Sequence, residues 1–148
     1  MSKEKKEKKM SVITKDLKFN TKGHTDIIDI TERVANCVNA SKLSSGIVTI
    51  FIPGATGGIT TIEYEPGLIK DLKEAFERLI SEKIEYAHNL RHKDYNGHSH
   101  IRASFLGPSL TVPFIEGALQ LGVWQKIVFI DFDNRPRKRR ILVQVLGH

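Results

Sequence analysis

The chain has 148 residues, of which 40% are hydrophobic and 27% are charged, a composition typical of one globular domain with a substantial core. No apolar run approaches the roughly 20 residues of a membrane-spanning helix, and the charged N-terminus lacks the apolar region of a secretory signal. The single cysteine, Cys37, excludes an intrachain disulfide and a thiolate-rich zinc site. These features predict a cytoplasmic protein with no membrane partner.

The formal net charge of +6 is concentrated in two short stretches. Met1–Met10 is mostly Lys and Glu without apolar periodicity and is predicted to be a disordered basic tail, which leaves residues 11–148 as a single domain. Arg135–Arg140 is the second stretch, and it is interpreted as the solvated rim of a hairpin. Two local runs are a weaker sign of nucleic-acid binding than a basic stripe with interleaved aromatic side chains.

The first half of the chain reads as strands around one helix. Polar and apolar residues alternate after Ser11, and Asp26–Ala40 reads as a strand end that leads into a helix with Asp29 or Thr31 as its N-cap. Two segments rich in β-branched residues predict strands: Gly46–Pro53 and Ile59–Tyr64.

The second half begins with a helix over Leu68–Ile80, whose apolar residues recur on one face. A long loop with the histidines is predicted next, followed by a strand over His100–Leu106 and a hairpin turn at Glu116-Gly117. The remaining strands are predicted over Ser109–Phe114 and in a final pair, Trp124–Phe132 and Arg140–Leu146. Two main helices and about eight strands predict an α+β fold with a mostly antiparallel sheet or sandwich.

Histidines make Tyr86–Trp124 the candidate functional stretch, since four of the six lie within thirteen residues: His88, His92, His98 and His100. Imidazole binds zinc and related metals and moves protons near neutral pH. On an extended strand, His98 and His100 are expected to point to the same side. The alternative is that they are surface histidines, or histidines satisfied by backbone carbonyls.

Several polar residues near the histidines can support such a site. Glu63 ends a strand and can ligate a metal, act as a base or cap a turn. Asn96, Ser99 and Arg102 bring amide, hydroxyl and guanidinium donors, and the planar guanidinium suits phosphate or carboxylate. Two glycine-containing loops, Gly54–Gly58 and Gly107–Ser109, can let the backbone approach an anion, although either can be an ordinary turn. Gln125 follows the only tryptophan and can present its amide to a ligand.

With these residues in place, the chain resembles the YjbQ-like family, whose members are linked to secondary thiamine-phosphate synthase activity. Five segments from Tyr86 onward carry the resemblance: Tyr86–Asn89, Asn96–Ser104, Leu106–Pro113, Leu121–Ile127 and Asp131–Arg137. The resemblance implies an α+β fold with sandwich character and a homotrimer with sites near subunit boundaries.

The resemblance also implies a site built from three histidines and a glutamate. The later two histidines match His88 and His100, and the glutamate matches Glu63. Gly54 stands where the family has its first histidine, so a three-histidine metal site requires a substitute such as His98. The cofactor that such a site would hold is a divalent metal, Zn²⁺ or Mg²⁺.

Three functions are considered. The first, which the resemblance implies, is an enzyme that joins an aminopyrimidine-methyl diphosphate to a thiazole phosphate and releases diphosphate, with His88, His100 and Glu63 as catalytic residues. The second is a non-catalytic trimer that binds a metal or an anionic metabolite. The third, less favoured, is a nucleic-acid-binding protein. In the first, the phosphorylated substrate is bound by a set of polar residues: Arg102, Asn96, Ser99, Ser109 and Gln125.

Overall fold

The computed structural model describes residues 8–148, so most of the predicted disordered tail lies outside the described residues. Within them the chain forms eight strands and four helices. In chain order these are β1 (Ser11–Thr21), β2 (Asp26–Asp29), α1 (Thr31–Ser41), β3 (Gly46–Phe51), β4 (Gly57–Ile62), α2 (Pro66–Leu79), α3 (Ala87–Arg91), α4 (Gly97–Leu106), β5 (Ser109–Ile115), β6 (Ala118–Leu119), β7 (Lys126–Asp131) and β8 (Arg137–Gly147). In this part of the chain no helix is long and apolar enough to cross a membrane.

The strands form two antiparallel sheets. One has five strands in the order β1-β8-β3-β5-β6, and the other has three in the order β2-β7-β4. Every pairing in both sheets is antiparallel. The predicted α+β class with a mostly antiparallel sheet is therefore confirmed.

β7 explains how the layers are stacked, because both of its faces are buried. Ile127 and Phe129 belong to a core that includes residues of the five-stranded sheet and α1. Val128 and Ile130 belong to a second core, which contains Phe76 of α2 and Ala103 of α4. A strand buried on both faces reads as a continuous apolar run rather than an alternating one. The three-stranded sheet therefore lies between the five-stranded sheet on one side and α2 and α4 on the other.

Elements with strong local patterns lie where they were predicted. The helix expected over Leu68–Ile80 is α2, which begins with Pro66 in its first turn. Glu65 caps it, since its two carboxylate oxygens accept from the backbone N–H groups of Gly67 (2.8 Å) and Leu68 (2.9 Å). These two bonds hold the pKa of the Glu65 carboxyl below its usual value. At Glu116-Gly117 the φ angles are +51° and +76°, the positive values that a tight two-residue hairpin turn requires.

The start of α1 differs slightly from the prediction. Its N-cap is Ile30, not Asp29 or Thr31. The Asp29 carboxylate still serves the first turn, because its Oδ1 atom accepts from the Thr31 N–H at 2.9 Å. An acceptor near free N–H groups stabilises a helix start even when it precedes the formal cap by one residue.

The histidine segment differs most from the prediction. The expected strand over His100–Leu106 is wrong, because residues 97–106 form α4, and the preceding loop contains the short helix α3. The buried side of α4 carries polar residues as well as apolar ones, and these obscure its helical period in the sequence. As a consequence, His98 and His100 lie about 200° apart around a helix axis and do not point to the same side.

The predicted final strand pair is also wrong as a pairing. β7 and β8 both exist, but they belong to different sheets. β8 pairs with β1 and β3, whereas β7 pairs with β2 and β4. Residues 132–136 therefore connect the two sheets rather than close a hairpin.

Candidate functional site

Three histidines meet where α3 and α4 approach each other. His88 and His92 are four residues apart, so they share one face of α3 and its C-cap, and their ring centres are 5.0 Å apart. The His88 ring centre is 4.6 Å from that of His100 in α4. The structure therefore brings together His88 and His100, the two histidines that the resemblance assigns to one site, although they lie on helices rather than on a loop and a strand.

His88 has an unusual hydrogen-bonding position. Its Nδ1 atom is buried and has no hydrogen-bond partner among the described residues. The nearest acid, Asp94, places its Oδ1 atom 3.8 Å away, which is too far for a hydrogen bond. Since buried polar nitrogens in native proteins nearly always have a partner, this atom is a candidate for contact with a ligand.

His100 lines a cavity of about 230 Å³ between α4 and the Gly54–Gly58 loop. The other residues around it are small or have short side chains: Gly54, Ala55, Gly57, Ala103, Ser104 and Pro108. The volume lies below the roughly 300–1,000 Å³ of typical small-molecule sites. In one chain, the cavity therefore suits a group of phosphate or diphosphate size.

Glycines allow α4 to lie this close to β4. A Cβ atom added at Gly58 would come within 2.6 Å of Leu106 Cδ2, and one at Gly57 within 2.6 Å of the Phe129 ring. Non-bonded carbon atoms do not approach each other this closely, so neither position accepts a larger residue without movement of its neighbours. Gly58 therefore packs against α4 and Gly57 against β7, and Gly57 together with Gly54 and Ala55 also forms one wall of the cavity.

A buried ionic network lies behind that wall. Asp131 and Asp133 are fully buried, and two arginines of β8 neutralise them. Arg139 donates from Nε and Nη2 to the two oxygens of Asp131, both at 2.7 Å, and Arg137 donates from Nε to Asp133 at 2.7 Å. Thr21 adds a bond of 2.6 Å to Asp131. Buried charges require such paired and hydrogen-bonded partners.

The charge of Asp133 follows from its partners. Burial alone raises the pKa of this carboxyl, but hydrogen bonds from Arg137, Asn96 and the Asn134 backbone outweigh burial and leave the pKa below its usual value. Asp133 is therefore ionised at neutral pH. The side chains of Arg137 and Arg139 are paired with the buried aspartates of this network. Residues 135–140 are therefore not simply the solvated rim expected from the sequence.

Asn96 and Ser99, both predicted to bind substrate, are buried beside this network. The Asn96 amide donates to Asp133 at 3.3 Å, while its Oδ1 atom has no hydrogen-bond partner in the described part of the chain. The Ser99 hydroxyl donates to the backbone carbonyl of Phe132 at 2.5 Å. Both side chains connect the start of α4 to the end of β7.

Arg102 has protein partners around most of its guanidinium. Its Nε and Nη2 atoms donate to the Ile80 carbonyl (3.0 and 2.8 Å), Nη2 also donates to Glu77 (2.8 Å), and Nη1 donates to Thr25 (3.1 Å). Only 5% of the side chain is exposed. Arg102 thus joins α4 to the end of α2, and its fork is occupied by the protein rather than directed to the His100 cavity.

His98 faces the opposite side of α4 from His100. It is buried, its ring centre lies 6.3 Å from that of Tyr86, and its Nε2 atom is 4.0 Å from a Glu82 oxygen. Burial is the main cause that lowers its pKa, and the Arg102 charge also lowers it, whereas the Glu82 carboxylate opposes the shift. His98 is therefore neutral at pH 7.

A metal centre does not fit this arrangement. Among residues 8–148, no three or more His, Cys, Asp and Glu side chains are placed to hold a metal ion together. His92 lies beside His88 but does not complete such a set with His88 and His100, and His98, the predicted substitute for the histidine missing at Gly54, does not join them.

The remaining predicted residues lie apart from the histidines. Glu63 follows β4 and lines a separate groove of about 440 Å³ together with Val123 and Trp124. At about 3.3 Å per residue, the two ends of β4 are roughly 17 Å apart, so Glu63 and the His100 cavity are at opposite ends of this strand. Gln125 is exposed next to that groove and accepts from the Gly122 N–H at 2.7 Å. Ser109 is exposed at the start of β5.

Sequence reasoning missed the acids of the network. In the sequence, Asp131 and Asp133 stand out only as part of a family segment, and Arg139 only as part of a basic run. The two-residue spacing of Arg137 and Arg139 carries a signal, because residues two apart in a strand share a face. That signal is interpretable only once β7 and β8 are placed in facing sheets.

The chain is similar to proteins of one family along nearly its whole length. The sequence profile of the family described as UPF0047 protein YjbQ-like matches residues 15–148. A UPF0047 protein of Methanothermobacter thermautotrophicus is 38% identical over 138 residues, covering 93% of this chain and 94% of the relative. A UPF0047 protein of Archaeoglobus fulgidus is 37% identical over 131 residues, covering 88% and 99%.

Solved structures show the same similarity. The crystal structure of a YbjQ-like protein of unknown function from Sulfolobus solfataricus P2 matches with a TM-score of 0.90 and 33% identity, covering 95% of this chain and 100% of the other. A hypothetical protein from Aeropyrum pernix K1 matches with a TM-score of 0.85 and 28% identity, covering 92% and 99%.

Proposed function

The chain belongs to the YjbQ-like UPF0047 family, and from that premise we propose that it is an enzyme acting on phosphorylated small molecules at the cavity beside His100. The observation that supports this most directly is the pair His88 and His100, with ring centres 4.6 Å apart, next to a cavity of phosphate size. Imidazoles can bind an anion and deliver a proton to it near neutral pH.

The reaction we propose is the one implied by the resemblance, a secondary thiamine-phosphate synthase reaction. The thiazole nitrogen forms a bond to the methylene carbon of the aminopyrimidine-methyl diphosphate, while the carbon–oxygen bond to diphosphate breaks and its electron pair leaves with the diphosphate. His100 and His88 stabilise the negative charge that develops on the leaving group, and one of them supplies a proton to it.

The predicted substrate-binding residues take different parts in this proposal. Asn96, Ser99 and Arg102 act as positioning residues, since their polar atoms fix α4 and thereby the direction of His100. We propose that Glu63, Gln125 and Ser109 contact the remainder of the substrates. Because Glu63 is far from His100 within one chain, we propose a homotrimer in which residues of neighbouring subunits meet, located in the cytoplasm.

A direct test is a turnover assay with the two phosphorylated substrates that measures released diphosphate. Wild type is expected to release diphosphate, and His88→Ala and His100→Ala are each expected to lose about 100-fold in rate, the usual contribution of a proton-transferring group. His148→Ala is the matched control, because this histidine lies at the C-terminus and contacts Lys8. Equal rates in all four proteins would contradict the proposed catalytic pair.

A second candidate is a protein that binds an anionic metabolite without catalysis. The glycine at position 54 favours it, since this chain lacks the first histidine that the resemblance implies. This candidate predicts saturable binding of diphosphate that depends on His100, with no product formed. Nucleic-acid binding is less favoured, because Arg137 and Arg139 are bonded to buried aspartates rather than free to contact phosphates.

A further inference from the structure

Gly54 lies next to two different features of the molecule. It lines the same cavity as His100. A Cβ atom built on Gly54 would also stand 3.4 Å from the Nη1 atom of Arg139, in ordinary van der Waals contact. The space that a side chain would fill at residue 54 is therefore empty, and the Arg139 guanidinium borders it on one side.

The Arg139 guanidinium is held in a fixed direction. Its Nε and Nη2 atoms are bonded to Asp131, and Nη2 is also bonded to Thr56 at 2.8 Å. Nη1 donates to no protein acceptor among the described residues. The side chain is only 11% exposed, and rotation of the guanidinium to give Nη1 another partner would break its two bonds to Asp131.

We propose that the space left by the missing side chain of Gly54 is an oxyanion subsite, in which a phosphate or diphosphate oxygen accepts from Arg139 Nη1 while the same group contacts His100. The inference rests on the proposed function and assigns the anion-binding arginine to β8 instead of Arg102. A charge-assisted N–H···O bond is about 2.7–2.9 Å long, shorter than the 3.4 Å from Nη1 to the Cβ position. A Cβ atom at residue 54 and a bound oxygen cannot occupy this space together.

The charges around the subsite favour anion binding through directed hydrogen bonds rather than through a net positive charge. Arg137 and Arg139 are balanced by Asp131 and Asp133, so this region is close to neutral. An anion therefore gains its free energy mainly from directed bonds to a preorganised donor. Terminal phosphate groups, with oxygens pointing in several directions, suit two separate donors: His100, which lines the cavity, and Arg139 Nη1, which lies beside Gly54 at its edge.

The test is calorimetric titration of inorganic diphosphate into wild type and Gly54→Ala. The substitution fits without a clash, and Gly54 does not have a positive φ angle, so Gly54→Ala is expected to fold like wild type. Its dissociation constant for diphosphate is expected to rise by about tenfold or more, the loss of one charge-assisted hydrogen bond. Arg140→Ala is the matched control, since Arg140 is exposed and pairs with Asp16 outside the cavity.

A second variant, His100→Gln, removes the other contact without changing Gly54. It is expected to weaken diphosphate binding by a similar factor. If Gly54→Ala binds diphosphate as tightly as wild type, or if wild type does not bind it at all, the subsite is refuted. Wild-type turnover together with unchanged binding by Gly54→Ala would refute the subsite but keep the enzyme. Binding that depends on Gly54 without turnover would keep the subsite and refute the enzyme.

Discussion

Replacement of Asp131 by leucine measures the importance of the buried network for stability. The Asp131 carboxylate accepts two bonds of 2.7 Å from Arg139 and one of 2.6 Å from Thr21. The variant removes the direct partner of the Arg139 charge in a site where only 11% of the side chain is exposed, and the remaining acid of the network, Asp133, is 3.8 Å from Nη2. Removal of one partner of a buried ion pair costs about 3–5 kcal/mol.

That loss is large for a domain whose total free energy of unfolding is about 5–15 kcal/mol. For a chain of this length, 1 kcal/mol corresponds to about 2–4 °C in Tm, so Asp131→Leu is expected to lower Tm by about 6–20 °C. Thermal unfolding measures the change in Tm and urea unfolding the change in free energy, both followed by far-ultraviolet circular dichroism. Tryptophan fluorescence is a poorer probe, because Trp124 is 71% exposed in the folded state.

The double variant Asp131→Leu/Arg139→Met separates the cost of the unpaired charge from the loss of the carboxylate's other bonds. Removal of both charges is expected to restore at least about 1 kcal/mol relative to Asp131→Leu, since paired apolar replacements avoid the uncompensated charge. A loss of less than about 1 kcal/mol in Asp131→Leu would show that the network does not stabilise the fold in this way. Two single losses that simply add in the double variant would contradict it as well.

Three further outcomes are expected. Gly57→Ala forces a Cβ atom to within 2.6 Å of the buried Phe129 ring, so the free energy of unfolding should fall by about 1–3 kcal/mol in urea. His98 has a pKa lowered from 6.5; its neutral form therefore supports folding fully above pH 6.5, and this contribution is lost as the pH falls toward the folded pKa. His98→Gln should consequently show a shallower fall of stability with pH below 6.5 than wild type, and parallel curves would contradict this. Gly54→His adds an imidazole at the cavity of His100, so equilibrium dialysis should detect tighter zinc binding than in wild type; equal binding would show that the added ring does not reach His88 and His100.

Local sequence patterns were sufficient for several elements. The helical period of residues 68–80 identified α2, because its amphipathic face is apolar throughout. The β-branched run of Gly46–Pro53 identified β3, and Glu116-Gly117 identified a hairpin turn. In these segments the interactions that decide the backbone conformation lie within a few residues of each other, so the pattern is visible in the sequence.

α4 shows where local patterns fail. Its buried residues include Ser99 and Arg102, whose polar atoms are satisfied by groups distant in sequence, namely the Phe132 and Ile80 carbonyls. A buried face that is partly polar has no clear apolar period, so the segment resembled a loop and a strand. The positions of its buried residues, at steps of three and four, carry the helical signal once burial is known.

The fold class, the family and the choice of His88 and His100 as candidate functional residues could all be inferred from the amino-acid sequence. Composition, short motifs and closeness in sequence carry that information. The folded chain was needed to show that His98 turns away from them, that Arg102 bonds to the protein, and that Arg139 approaches Gly54. These relations depend on helix rotation and on the placement of β7 and β8 in different sheets. Contacts between residues far apart in the chain arise from packing of whole elements, and no local pattern specifies them.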